Sequence, residues 1–305
     1  MITNLTPTSA IFLANVNRIE QSLADATNEI SSGKRVNVAA DDPDQIQSLL
    51  QLETDGKQNT QIESNLDSAS ADADSADTAL GSAIQLMDTA VSLATQGATA
   101  TTDASGRQDI AQEIAGIQAQ MVSISQTQVQ GRYIFSGDEP NSPTYQLDLT
   151  ATTGSAATNG VDLLSEAPAT RQVEDPEGGT FTASETAQQI FDAPGASVFA
   201  ALNSLRLNLL ANNQTGIGDS LSALQTASDH LNTMEAFYGN VEDRISNSNA
   251  FASQYDTQLQ TAISNIQDAD VAQAATQLTQ ENTALQAAFQ AEGKMPTTSL
   301  FNYLG

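Results

Sequence analysis

Residues 32–45 read SGKRVNVAADDPDQ. Two basic residues follow a glycine and precede three acids. The stretch admits two readings: a phosphate loop beside an acidic metal site, or the end of one helix and the start of the next. A Walker-type loop needs a glycine five residues before Gly33 and a Ser or Thr after the lysine. Position 28 is Asn and position 35 is Arg. A metal would need converging oxygens, and the neighbouring sequence supplies no others. The helix reading accounts for more residues. Gly33 follows the last periodic residue, Ile30, and suits a left-handed C-cap. Lys34 and Arg35 then lie at the negative end of the helix dipole. Asp42 is the expected N-cap of the next helix, Pro43 its first residue and Gln45 the reciprocal capping-box partner.

Upstream of this break, Phe12, Val16, Ile19, Leu23, Ala26 and Ile30 recur in steps of three and four. That is the seam of a helix of roughly 24 residues, about 36 Å long, which packs on another helix. The far end mirrors it, with Val271, Ala275, Leu278, Leu285 and Phe289 and Asn282 as the polar exception. Val241, Ile245, Ala252, Tyr255, Leu259 and Ile266 extend the pattern upstream. The two ends of the chain are expected to pair. Pro296 should stop the last helix near Lys294.

Between the ends lie further helical stripes. Leu66, Ala69, Ala73, Ala76, Leu80, Ala83, Met87 and Ala94 form an alanine-rich face that permits close approach. Ile110, Ile114, Ile117, Met121 and Ile124 form another, and ATATTDASGR (98–107) separates the two, with Asp103 a candidate cap. Val198, Leu202, Leu205 and Leu209 precede the turn ANNQTGIGD (211–219), and Leu221, Leu224, Leu231 and Met234 follow it. Residues 137–195 differ. They hold most of the eight prolines, no helical stripe, and short β-type pieces such as TYQLDL and GTFTA. The fold class is therefore mainly α: a long coiled-coil or helical-bundle rod formed by the N- and C-terminal segments, with a small β-rich inserted domain.

Composition narrows the function. The 305-residue chain has 10 Lys and Arg against 37 Asp and Glu, a formal net charge of −27. Nucleic acid and anionic membrane surfaces are excluded as expected partners. Cysteine and tryptophan are absent, so no disulfide, thiolate metal site or cysteine nucleophile exists. The longest apolar run near the N-terminus, AIFLA, falls far short of the roughly 20 residues of a membrane span. No cleavable signal peptide is visible. Asp72, Asp74 and Asp77 lack the glycine and the twelfth-position acid of a calcium loop, places taken by Asp77 and Ala83, and read as the solvated face of a helix. His230, the single histidine, stands next to Asp229 on a helix and gives no catalytic constellation. No enzyme, cofactor or metal is expected.

These stretches combine into a resemblance. EISSGKRVNVAADDPDQ (29–45) resembles the N-terminal signature of bacterial flagellins and their relatives. Lys34 and Pro43 lean toward the hook-associated protein 3 branch, which makes the hook–filament junction. QGRYIFSGDEPNSP (130–143) is similar to that branch's Gly-Arg-Tyr-Ile/Leu-Phe-Ala/Ser-Gly signature, carried here by Gly131, Arg132, Tyr133, Phe135 and Gly137. The end, SLFNYLG, is similar to its Ser-Leu-Leu-Asp-Tyr-Leu. The resemblance covers roughly 1–140 and 240–305.

It implies a structural flagellar protein with no cofactor, exported without a cleaved signal and lying outside the cell at the hook–filament junction. Implied partners are flagellin, the neighbouring hook-associated protein, copies of the chain in a ring, and the export chaperone and export apparatus. It implies a terminal domain of 1–40 plus 265–305 as the inner tube. A second helical domain, 41–136 plus 197–264, forms the outer tube, and 137–196 faces outward. On this reading Phe12, Val16, Ile19, Leu23, Ile30, Val271, Leu278, Leu285 and Phe289 form the assembly interface. Both ends are expected to be mobile in the free monomer and to order on assembly. Two other classes compete: filament flagellin that self-polymerises, and an acidic cytoplasmic coiled-coil scaffold.

Overall fold

The computed structural model describes residues 7–137, 139, 141–151, 154–165 and 169–294. In chain order the elements are α1 (Pro7–Ser32), α2 (Ile46–Ala98), α3 (Ala104–Ser125), β1 (Gln128–Val129), β2 (Arg132–Tyr133), β3 (Tyr145–Leu147), α4 (Gly154–Asn159), β4 (Val161–Leu163), β5 (Gln172–Glu174), β6 (Thr180–Thr182), α5 (Ala187–Phe191), α6 (Val198–Leu210), α7 (Gln214–Gln267) and α8 (Val271–Glu292). The chain divides into two compact units, 1–58 with 255–305, and 59–254.

The first unit contains the paired terminal helices α1 and α8. Phe12, near the start of α1, meets Phe289, near the end of α8, edge to face at 6.3 Å. At the opposite ends Ala269 N–H donates to the Gly33 carbonyl at 3.0 Å. The pair is therefore antiparallel. Val16, Ile19 and Ala26 are buried, and Phe12, Leu23 and Ile30 are half-buried.

The second unit holds the main core. The alanine stripe of α2 is buried as read, from Leu66 through Ala94. It packs in one cluster with Ile110, Ile114, Ile117 and Met121 of α3, Leu202, Leu205 and Leu209 of α6, and Leu224 and Leu231 of α7. Small side chains on α2 let the helix axes come close, which long side chains prevent. Arg107, buried on α3, donates from Nε to the Gly97 carbonyl at 2.9 Å and from Nη2 to the Thr99 carbonyl at 3.1 Å. It thus satisfies one carbonyl of the last turn of α2 and one just beyond it, where a cation is favoured. Asp103 caps α3 through Gly106 N–H at 2.8 Å.

Among the described residues of 137–195 the strands pair as short antiparallel ladders, β3 on β4 and β5 on β6. The segment also carries two short helices, α4 and α5, where the sequence showed no helical stripe. A capping box between Thr186 and Gln189 starts α5, and helices of one or two turns leave too few residues for a periodicity to register. Its apolar residues Tyr145, Val161, Phe181 and Phe191 belong to the same core cluster as the helices. Phe135 sits fully buried with Phe191 at 5.7 Å and Tyr238 at 6.3 Å, both edge to face.

Candidate assembly interface

The stretch 32–45 is a clasp. Gly33 has φ +70°, and its N–H donates to the Glu29 carbonyl at 2.9 Å, closing α1 with a left-handed residue. The next residues pair with the break between α7 and α8. The backbone of Lys34 pairs antiparallel with that of Asp268, and Arg35 N–H donates to the Gln267 carbonyl at 2.7 Å. The Arg35 guanidinium then reaches two ways, to the Ile266 carbonyl at 2.8 Å and to Asp42 Oδ2 at 3.0 Å. It bonds a carbonyl of the last turn of α7, where cations are favoured.

The acids take other roles than expected. α2 starts at Ile46, later than Pro43. The Asp42 Oδ2 expected to cap it instead accepts from Arg35. The Asp42 carbonyl accepts from Gln45 N–H and Ile46 N–H, so Pro43 and Gln45 lie in a lead-in turn. Asp41 organises the preceding bend. Its carboxylate accepts from Val38 N–H at 2.9 Å and Asn37 N–H at 2.8 Å, and these donors hold it below the usual carboxylate range. A sequence pattern cannot tell which of two adjacent acids an arginine selects.

The α8 seam is rotated from the sequence reading. The residues that turn inward are Ala274, Leu278, Glu281, Leu285 and Ala288, again in steps of four and three. Val271 is 48% exposed, Ala275 is exposed, and Phe289 is 54% exposed despite its ring contact. Asp270 caps α8 by accepting from Ala272 N–H and Gln273 N–H at 3.0 and 3.1 Å. The clasp fixes where the helix begins, and so fixes its phase. Counting apolar residues missed Glu281 because a long acid side chain can lay its methylenes in a seam. On α1, Ile11 is 63% exposed and Leu13 is also exposed. The terminal pair thus keeps large apolar side chains outside its own seam.

The stretch 130–137 opens with the turn and second strand of a tight hairpin, β1 on β2. Gln130 and Gly131 have φ +52° and +78°, and Val129 pairs with Arg132 across them. A two-residue loop with both φ positive matches the twist of its strands. Beyond it, Tyr133 is half-buried, Phe135 anchors the aromatic cluster, and Gly137 has φ +55°. Arg132 donates to both oxygens of Asp72 at 3.1 and 3.3 Å, and Arg171 pairs with the same carboxylate. Asp72, read as a solvated acid, is therefore an anchor between α2, the hairpin and the β-rich segment. The pairing joins residues 60 and 99 positions apart, so no local signal marked it. His230 shares a hydrogen bond of 2.8 Å with the Gln189 carbonyl, tying α7 to α5. Among the described residues no group of three His, Asp or Glu could hold a metal, and no helix is long and apolar enough to cross a membrane.

Comparison with known proteins gives this architecture a class. Residues 3–139 match the bacterial flagellin N-terminal helical region, and residues 221–304 match the bacterial flagellin C-terminal helical region. Together these span more than two thirds of the sequence. The chain belongs to the bacterial flagellin superfamily. Within it, the fold is shared with hook-associated proteins. Flagellar hook associated protein-3 from Legionella pneumophila aligns with a TM-score of 0.62 at 11% identity, over 70% of this chain and 98% of its own. FlgL of Xanthomonas campestris aligns at 0.59 and 15% identity, over 69% and 98%. FlgL of Bacillus cereus aligns at 0.52 and 17%, over 70% and 96%. No curated protein matches the sequence.

Proposed function

We propose that this chain is a structural, non-enzymatic component of the bacterial flagellum that acts as the adaptor at the hook–filament junction. The observation that carries the reading is the terminal pair. Even with α1 seated on α8, Ile11, Leu13, Val271 and Phe289 remain largely exposed. Exposed apolar side chains on paired helices offer a face on which further helices can pack. Membership of the flagellin superfamily and the fold shared with hook-associated proteins support that assignment.

In this reading copies of the chain form a ring through their terminal helices, between a neighbouring hook-associated protein and flagellin. The layers are 1–40 with 265–305 inside, 41–136 with 197–264 around them, and 137–196 outward. Phe12, Val16, Ile19, Leu23, Ile30, Leu278 and Leu285 hold the pair together. Val271 and Phe289 face neighbours. The clasp at Gly33, Lys34, Arg35 and Asp42 holds the exit of α1 against the break between α7 and α8. The chain leaves the cell through the flagellar export apparatus with its chaperone, without loss of a signal peptide.

Immunogold labelling of intact flagella tests the placement. Gold confined to a narrow band between hook and filament supports it, and gold distributed along the filament refutes it. Mass spectrometry of the secreted protein tests the export route, with an uncleaved N-terminus expected.

A further inference from the structure

The Arg132 hairpin closes one side of a cavity that the assembly reading leaves unused. The cavity measures about 230 Å³. Asp72 and Ala76 of α2 and Tyr238 of α7 line it on one side. Arg132 and the following residues of the hairpin line a second, and Arg171 and Ser184 of the β-rich segment a third. All lie within the 59–254 unit.

Apart from Asp72, every polar side chain in the described lining can donate. A guanidinium carries five N–H groups in a fixed fork. Arg132 uses Nη2 on Asp72, and Arg171 uses Nη1 on the same carboxylate. Among the described residues their other guanidinium N–H groups meet no acceptor. The two side chains keep 38% and 32% of their surface open, against 14% for Asp72. Ser184 Oγ accepts from Arg171 N–H at 3.2 Å, and Tyr238 Oη accepts from Glu185 N–H at 3.1 Å. Each hydroxyl still has its own proton to give. Burial pushes the Tyr238 phenol up, so it stays a donor at every working pH. Among the described residues Asp72 is the one carboxylate in the lining.

We propose that this cavity is a carboxylate-binding site, taking a small organic acid or an acidic side chain into the fork of Arg132 and Arg171. Among the described lining residues two arginines against one aspartate leave a single positive charge, in a chain of net charge −27, and the Glu185 carboxylate beyond Tyr238 weighs further against a dianion. One positive charge suits a monoanion. A dianionic phosphate would meet Asp72 with a second, uncompensated negative charge. The volume lies below the roughly 300 Å³ at which pockets accept drug-sized molecules, which also favours a small acid. The site stands apart from the flagellar reading and does not need it.

The test is titration of the full, ¹⁵N-labelled chain with sodium acetate and then glutarate, following the arginine Nε–Hε resonances, with sodium chloride as the ionic-strength control. Saturable shifts at Arg132 and Arg171 with the acids, and none with chloride, are expected. R132K keeps a charge for Asp72 but loses the fork, and should bind about tenfold more weakly. S184A removes one donor without touching the ion pairs and should weaken binding severalfold. D72N removes the competing carboxylate and should bind acetate more tightly and admit inorganic phosphate. No saturable shift in the wild-type chain, or unchanged affinity in both R132K and S184A, overturns the site. Sedimentation with and without acetate separates the two sources of the carboxylate. An oligomer that acetate dissociates assigns it to an acidic side chain of a second copy. A monomer throughout, with saturable shifts, assigns it to a free acid.

Discussion

Arg35 donates from Nη2 to the main-chain carbonyl of Ile266 at 2.8 Å, across 231 positions of sequence. This bond joins the segment that leaves α1 to the end of α7. The same guanidinium holds Asp42. One side chain thus fixes the exit of one terminal helix against the approach to the other.

R35E should loosen this clasp. The side chain is partly exposed, so the ion pair itself contributes no more than about 1 kcal/mol. The lost bond to Ile266 adds about 1 kcal/mol. Hydrogen exchange should accelerate in 265–292 and stay unchanged in α3 and α6. Junction assembly that survives R35E would remove the clasp's proposed role in assembly.

The terminal pair should open well below the global unfolding free energy. Among the buried residues of α8 only Ala274 is fully covered, whereas α6 buries most of its length. Amide exchange on the monomer should rank α1 and α8 as the least protected long helices. Equal protection across all helices would count against the idea that assembly completes them.

Leu23→Asp or Leu278→Asp should block incorporation into flagella while unit 59–254 keeps its fold. A charge placed in a helix seam costs several kcal/mol unless paired. Circular dichroism should lose only the terminal helical signal. A single cooperative collapse of the entire protein would show these residues to be ordinary core.

Gly160→Ala and Gly131→Ala should differ sharply. Both glycines have positive φ, costing alanine about 1 kcal/mol. A Cβ at Gly160 would also lie 2.4 Å from Gln118 Nε2, whereas at Gly131 it meets nothing within 4 Å. Gly160→Ala should therefore lose a further 1–3 kcal/mol, roughly, from overpacking. Urea unfolding measures both.

Stability should fall as pH rises above the ordinary carboxylate range. Burial, then Asp74 and Asp77, raise the Glu242 pKa. A raised folded-state pKa means the folded chain holds the proton more tightly. Its contribution is greatest below the unfolded value and is lost as pH climbs through that value to the raised one. E242Q should flatten this slope and raise stability at neutral pH by about 0.3 kcal/mol, since the site is largely solvated. Asp148 has the opposite sign. Thr150 Oγ–H, then Thr150 and Ala151 N–H, lower its pKa. Its contribution is present above the ordinary value and disappears as pH falls through the lowered one. Thermal melts between about pH 3 and 8 should show both limbs.

Much of the fold was legible because it is local. Steps of three and four residues place side chains on one face whatever they pack against, so the seam of α1 and the alanine stripe of α2 could be read directly. Gly33 could be read because only a residue without a Cβ ends a helix at φ +70° cheaply. The flagellin resemblance rested on short contiguous runs, which can be read without knowing what they pack against.

The tertiary structure decided what depends on a distant partner. The phase of α8, through Ala274 and Glu281 and away from Val271 and Phe289, follows from where the clasp starts the helix. The start of α2 at Ile46 follows from Arg35 taking Asp42. Asp72 changes from a surface acid to an anchor only when Arg132 and Arg171 arrive from elsewhere in the chain. Periodicity reports which face a helix can bury. Ion pairs, caps and helix phase depend on what that face meets, and that information lies in no single stretch of sequence.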